Sequence, residues 1–166
     1  MEGALAGEPI SGDEPLQPVE PGYKNVLRVR LAIVWLPIIV GAFVFEQAID
    51  ETSFSGLPSV LAPLLALVSI AFAPQRIYAR LGYRVGGSLL QVVRGWMFHT
   101  DTIVPFVRVQ HLDVTRGPIG KLFGTATLVV HTAGTHNSIV TVPGLALERA
   151  AEIRDVIREH VRTDFQ

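Results

Sequence analysis

The sequence predicts an α+β protein in which a transmembrane hairpin of two helices precedes an antiparallel β-domain that ends in an amphipathic helix. Three observations support this fold class. The first half of the chain holds two long apolar runs, the second half holds short β-prone runs between turn residues, and the chain ends on a helical apolar stripe. Of the 166 residues, 49% are hydrophobic and only 17% are charged, whereas a soluble domain carries about 25% charged residues.

Residues 1–24 are rich in proline, glycine and acidic side chains, and they show no apolar period. Such a composition buries too little apolar surface to offset the entropy lost on ordering. The sequence therefore predicts a disordered N-terminal tail over 1–24. A short peptide motif for a partner protein is the alternative interpretation of this segment.

Residues 25–79 contain the two apolar runs, and we expect membrane helices at about 31–49 and 57–73. A bilayer core of about 30 Å requires roughly 20 helical residues. A helix of a soluble domain would show a polar face, and neither run has one. Pro74 is expected to end or kink the second helix, because proline lacks the backbone donor and clashes with the preceding turn.

Basic residues flank only the outer ends of this hairpin. The loop over 46–56 carries acidic residues and no lysine or arginine. The positive-inside rule therefore predicts a multi-pass protein of the cytoplasmic membrane with both termini in the cytoplasm. The flanking cations are Lys24, Arg28 and Arg30 before the first helix and Arg76, Arg80 and Arg84 after the second.

Residues 80–162 have the sequence pattern of a folded β-domain. Gly and Pro turn signals, including Gly86-Gly87, separate its β-prone runs, which favours an antiparallel sheet. In the run over 107–115 the apolar alternation breaks, and a β-bulge near Gln110-His111 would return the four apolar residues to one face. The six runs are 83–85, 88–94, 98–104, 107–115, 125–132 and 139–142.

Two helical segments complete the predicted domain. Leu122-Phe123-Gly124 suits a one-turn helix with a glycine stop, whose apolar side chains would cover one end of the sheet. The last helix is expected over about 146–162, with its stripe packed on the sheet. The stripe consists of Ala146, Ala150, Ile153, Ile157 and Val161.

The run from Ile103 to Gly134 resembles the core signature of the YdbS-like bacterial pleckstrin-homology-like domain family. Leu81-Gly82-Tyr83, Val142-Pro143-Gly144 and the two preceding membrane helices also fit, so the resemblance covers about 25–160. It implies a PH-like sheet or barrel domain closed by a C-terminal helix, and it implies neither a ligand nor a reaction. The matching motifs are Val104-Pro105, Arg108-Val109-Gln110-His111, Leu112-Asp113, Gly117-Pro118, Leu122-Phe123-Gly124 and Thr132-Ala133-Gly134.

No catalytic, cofactor or metal residues are predicted. The chain has no cysteine, and it contains no GxSxG, Walker or HExxH motif. The net charge of -1 provides no basic field for nucleic acid. The spacing of His99, His111, His131 and His136 fits no compact zinc site, and we expect His111 to hydrogen-bond within the segment 108–113.

The leading functional interpretation is a non-enzymatic, membrane-anchored interaction or assembly module that contacts the lipid bilayer and a protein partner or a second copy. A lipid-headgroup sensor at the inner leaflet and an enzyme are the alternatives. The turn at Gly86-Gly87 is uncharged, so the phosphoinositide binding of eukaryotic pleckstrin-homology domains is not transferred. The candidate lipid or partner contacts are Arg76, Arg80, Arg84, Arg108, Gln110, His111 and Arg116.

Overall fold

The computed structural model describes residues 15–48, 56–96, 99–133 and 139–163. Two apolar helices precede two antiparallel sheets and a C-terminal helix, which confirms the predicted fold class. A 3-10 turn spans Phe106–Arg108. The elements in chain order are β1 (Gln17–Pro18), α1 (Gly22–Ala48), α2 (Leu57–Ala79), β2 (Gly82–Gly86), β3 (Leu89–Gly95), β4 (His99–Pro105), β5 (Val109–Thr115), α3 (Pro118–Leu122), β6 (Ala126–Thr132), β7 (Ile139–Leu145) and α4 (Leu147–Thr163).

Helices α1 and α2 pack against each other as the hairpin and leave many apolar side chains exposed. They have 27 and 23 residues, so they are about 40 and 35 Å long at a rise of 1.5 Å per residue. Only 6% and 11% of their most apolar windows are buried in the protein. Leu36 is 65% exposed and Leu67 is 68% exposed. A core helix of a soluble protein would bury such residues, so lipid is the medium that fits this hairpin.

Both helices extend further towards the β-domain than the apolar runs predict. Helix α1 begins at Gly22, and α2 continues through Pro74 to Ala79. Helix α2 therefore does not end at Pro74, which was one of the two outcomes predicted for this proline. Contacts beyond this proline explain the difference, because the Tyr78 hydroxyl donates a hydrogen bond to the Val19 carbonyl at 3.0 Å. At the other end of α1, the predicted residue 49 lies outside the described ranges.

The predicted disorder of the tail is wrong for residues 15–24. Strand β1 pairs antiparallel with β2, placing Gln17 opposite Tyr83, and α1 starts shortly afterwards. Val19 is only 3% exposed, which shows why this polar segment is ordered: it covers a sheet edge and contributes an apolar side chain to the core. The rest of the predicted tail, residues 1–14, lies outside the described ranges.

The β-domain consists of a four-stranded sheet in the order β1-β2-β3-β4 and a three-stranded sheet in the order β5-β6-β7. Gly86 pairs with Leu89, so the β2–β3 turn falls one residue later than predicted, at Gly87-Ser88. Gly87 adopts a φ of 59°, a conformation that favours glycine. The predicted β-bulge is confirmed, because the register of β5 shifts between Val109 and His111.

Two apolar side chains do not pack as predicted. Val107 lies in the 3-10 turn ahead of β5 and is 63% exposed. Leu122 at the end of α3 is 81% exposed, although the neighbouring Phe123 and Ile119 pack on the core. A short helix presents only one side to the sheet, and in α3 that side excludes Leu122.

The core lies between the two sheets and is closed by α4, which packs on β5, β6 and the 3-10 turn. The stripe of α4 is confirmed at its centre, where Ala150, Ile153 and Ile157 are almost completely buried. Tyr23 and Val26 of α1 belong to the same core. The membrane hairpin and the β-domain therefore share one hydrophobic core.

Candidate functional site

The most distinctive feature of the structure is the seam, which we define as the contact between the domain-side ends of α1 and α2 and the β-domain. Glu20 N–H donates a hydrogen bond to the Gly144 carbonyl at 2.7 Å. A Cβ built on Gly144 would lie only 2.6 Å from the Tyr23 ring. The end of β7 is thus in direct contact with the start of the first membrane helix.

Glycine at position 144 is required for two independent physical reasons. Its φ is +76°, a region that side-chain-bearing residues rarely adopt. Its missing side chain also leaves the space that the Tyr23 ring occupies. The Val142-Pro143-Gly144 motif therefore acts as the docking point for α1.

The first residue of α1, Gly22, also lies against the backbone of the β-domain. A Cβ built on Gly22 would come within 2.4 Å of the Phe123 carbonyl oxygen. This carbonyl directly follows α3, which makes the Leu122-Phe123-Gly124 motif part of the seam. Any larger residue at position 22 would displace α1 from α3.

Helix α2 joins the seam through Tyr78. In addition to its hydrogen bond to Val19, the Tyr78 ring lies 4.3 Å from the Lys24 ammonium nitrogen, within the range of a cation–π interaction. This contact connects the ends of α1 and α2. The seam therefore fixes both membrane helices to the β-domain.

Hydrogen bonds from Arg149 of α4 hold strand β1 in place. Arg149 donates to the Gln17 side-chain oxygen at 2.9 Å and to Glu152 at 2.7 Å. Its bond to the Tyr83 hydroxyl, together with the Glu152 carboxylate, raises the pKa of Arg149 above the ordinary value. The guanidinium thus remains charged and connects β1, β2 and α4.

The seven predicted contact residues do not form one site. Arg76 is exposed on α2, and Arg80 donates a hydrogen bond to the Trp96 carbonyl at 2.8 Å. Arg84 on β2 and Arg116 after β5 are partly buried. Within the described ranges their Nε atoms are buried without a hydrogen-bond partner.

The remaining three predicted residues lie along β5. Gln110 and His111 line a groove of about 330 Å³ between β5 and α4, and the exposed Arg108 directly precedes the strand. The opposite rim carries Arg154 and Arg158, which the sequence analysis did not select. Their spacing of four places them on one face of the amphipathic helix, and this signal could have identified them.

His111 makes the local contact that the sequence predicts. Its Nε2 lies 3.0 Å from an Asp113 carboxylate oxygen, and His131 Nε2 lies 3.6 Å from the other. Strand register produces this arrangement, since His111 pairs with His131. In the part of the chain that the structure describes, no group of three or more His, Asp or Glu side chains could hold a metal ion.

The seam itself was not predicted from the sequence. Tyr23 and Val26 were assigned to the tail and to the flank of the first membrane helix, yet they are 7% and 2% exposed. A signal was present, because Tyr23, Val26 and Leu27 have the three- and four-residue spacing of an apolar helical stripe. Polar residues between them indicate an amphipathic segment, whose apolar side would pack on protein.

The comparisons agree with this architecture. Residues 31–161 match the family model described as Bacterial PH domain. The chain is 29% identical over 154 residues to "UPF0699 transmembrane protein YdbS" of Bacillus subtilis (strain 168), covering 90% of this chain and 95% of that protein. No solved structure matches. A family match over most of the chain, with a hairpin and sheets that fit it, shows that this transmembrane protein belongs to the bacterial PH domain family.

Proposed function

We propose that the protein is a non-enzymatic interaction and assembly module of the cytoplasmic membrane, with both termini in the cytoplasm. Its PH-like domain would offer the groove between β5 and α4 to a segment of another protein. The observation that carries this proposal is the seam. A domain whose core includes Tyr23 and Val26 is held in a fixed orientation to the membrane.

The distribution of charge supports the proposed orientation. On the domain side of the apolar runs, α1 carries Lys24, Arg28 and Arg30, and α2 is followed by Arg80. Short flanks rich in lysine and arginine remain in the cytoplasm. Reporter fusions at residue 53 and at the C-terminus test this directly, and a periplasmic signal from the C-terminal fusion would contradict it.

The chemistry of the groove supports a protein segment as its occupant. Val109, Leu112 and Val161 supply apolar surface, while Arg154, Arg158 and His111 lie at the same groove. Arg154 shares its charge with Asp155 at 2.8 Å. Apolar surface beside cationic side chains suits a segment that alternates apolar and acidic residues.

Site-specific photocrosslinking in native membranes tests this proposal. A benzophenone amino acid at Gln110 should give a discrete protein adduct, whereas the same group at Thr100, which is exposed on β4, should not. Arg158→Glu should weaken the adduct several-fold, because it reverses one charge at the groove.

The possible adducts separate the alternatives. Lipid adducts alone at Gln110 would contradict the proposal and favour headgroup sensing at this groove. An adduct of twice the chain mass would identify a second copy as the partner. Equal protein adducts from Gln110 and Thr100 would mean that the groove has no selective role.

A further inference from the structure

A second cavity lies at the seam, apart from the groove on β5. It is an open cavity of about 510 Å³, within the roughly 300–1,000 Å³ range of small-ligand sites. The membrane helices, β3 and the β5-β6-β7 sheet all contribute to its wall. The lining residues include Tyr23, Arg30, Ile77, Arg94, Thr127 and Thr141.

The charged residues that line this cavity are both cationic. Arg30 enters from α1 and Arg94 from β3, and no carboxylate residue is among the lining side chains. Arg94 donates a hydrogen bond to the Thr141 carbonyl at 2.8 Å. Within the described ranges, neither arginine forms an ion pair with a carboxylate. Two guanidinium groups that share a cavity without a counter-charge favour an anion between them.

Hydroxyl groups surround the same space. Thr115 pairs with Thr127, and Thr141 pairs with Val129, so these threonines lie on one face of the sheet. Tyr23 also lines this space. Hydroxyls can donate and accept hydrogen bonds, so they suit the polar groups of a ligand whose anion is held by the guanidinium groups.

The position of the cavity along the membrane helices indicates which anionic ligand it would meet. Arg30 is exposed and immediately precedes the apolar run that starts at Leu31. Ile77 follows closely after the end of the second apolar run at Ala73. The cavity therefore lies at the headgroup level of the leaflet on the domain side, where a basic pocket recognises anionic lipid.

We propose that this cavity binds the phosphate of an anionic phospholipid headgroup, such as phosphatidylglycerol, from the leaflet on the side of the β-domain. Arg30 and Arg94 would contact the phosphate, and the threonine hydroxyls would contact the rest of the headgroup. Ile77, Leu81 and Val129 provide apolar wall on which the glycerol and the start of an acyl chain would pack. This inference does not depend on a protein partner at the β5 groove.

The test uses the full chain, delipidated in detergent and titrated with short-chain phosphatidylglycerol or phosphatidylcholine, with bound lipids counted by native mass spectrometry. Arg30→Gln should weaken phosphatidylglycerol binding about fivefold and Arg94→Gln about tenfold. Arg94→Lys should recover part of the loss, because it keeps the charge but not the planar fork. Arg28→Gln is the matched control, since Arg28 flanks the same apolar run as Arg30 but lies outside the cavity and bonds to Asn25 at 3.2 Å.

Three results would overturn the proposal. These are an equal loss in Arg28→Gln, equal affinity for phosphatidylcholine, and binding of glycerol 1-phosphate or inorganic phosphate as tight as that of the lipid. The last result would assign the cavity to a soluble phosphate. If Arg94→Gln fails to fold, Arg30→Gln decides the question, because Arg30 is exposed and its loss leaves the hydrogen bond of Arg94 intact.

Discussion

Two valines of helix α1 show how one helix serves two environments. Val26 is 2% exposed and belongs to the core of the β-domain, whereas Val34, about two turns further along, is 57% exposed. The first valine is buried by protein, and the second has only lipid to cover it. The comparison shows that α1 is both a membrane helix and a structural element of the PH-like domain.

The same comparison defines how the domain is attached. A flexible linker would leave a folded domain free to move relative to the membrane. Here the Tyr23 ring rests against Gly144 and the Tyr78 hydroxyl bonds to Val19, so movement of the domain would require separation of core contacts. If the seam and the core form one cooperative unit, substitutions in either should lower the stability of the domain. Substitutions in the lipid-facing segment should have much smaller effects.

Ile153→Asp should have the largest effect, a loss of about 4 kcal/mol in the free energy of unfolding, because it buries a charge without a partner. Val156→Asp is the matched control on the same helix, where the side chain is 46% exposed, and it should cost less than about 1 kcal/mol. Thermal unfolding of the full chain in detergent measures both. Similar melting temperatures for the two variants would contradict the assigned orientation of α4.

Gly144→Val should come second, with a loss of about 3 kcal/mol, because the new side chain meets the Tyr23 ring and strains the backbone at φ +76°. Gly117→Val is the control, since a Cβ there meets nothing within 4 Å and should change stability little. Limited proteolysis between the hairpin and the domain would report loosening of the seam. Resistance equal to that of the unmodified chain would show that the seam tolerates displacement of α1.

The smallest losses of stability are expected for Val26→Ala and Val34→Ala. This pair compares the protein and lipid environments of α1 most directly. Val26→Ala should cost about 2 kcal/mol, because it removes two buried methyl groups and leaves a cavity. Val34→Ala should cost under about 0.5 kcal/mol, since lipid can fill the space. The readout is thermal unfolding in lipid nanodiscs. Equal losses would mean that protein rather than lipid covers Val34.

Sequence patterns predicted much of the fold because they reflect local rules. The two apolar runs identified the hairpin, the turn signals placed the strands within a few residues, and the broken alternation located the bulge between Val109 and His111. The patterns failed where a residue's environment depends on distant parts of the chain. The sequence predicted that Leu122 covers one end of the sheet, yet Leu122 is exposed because α3 presents another side to the sheet.

The candidate sites were less predictable for the same reason. Gln110 and His111 were selected from β5, but Arg154 and Arg158 of α4 complete their groove from more than forty positions away. Arg30 and Arg94 share a cavity although one belongs to the flank of a membrane helix and the other to a strand. No spacing rule connects such pairs, because only tertiary packing brings them together.

Two membrane helices, an antiparallel domain and an amphipathic last helix could all be predicted from local patterns, since hydrophobic period and turn chemistry act between near neighbours. Tertiary packing was needed to show that residues 15–24 are ordered, that the membrane helices extend to the core of the domain, and that Arg30 and Arg94 line one cavity. Those features depend on contacts such as Glu20 with Gly144 and Tyr78 with Val19. The residues that make these stabilising contacts are distant in the chain and become adjacent only after folding.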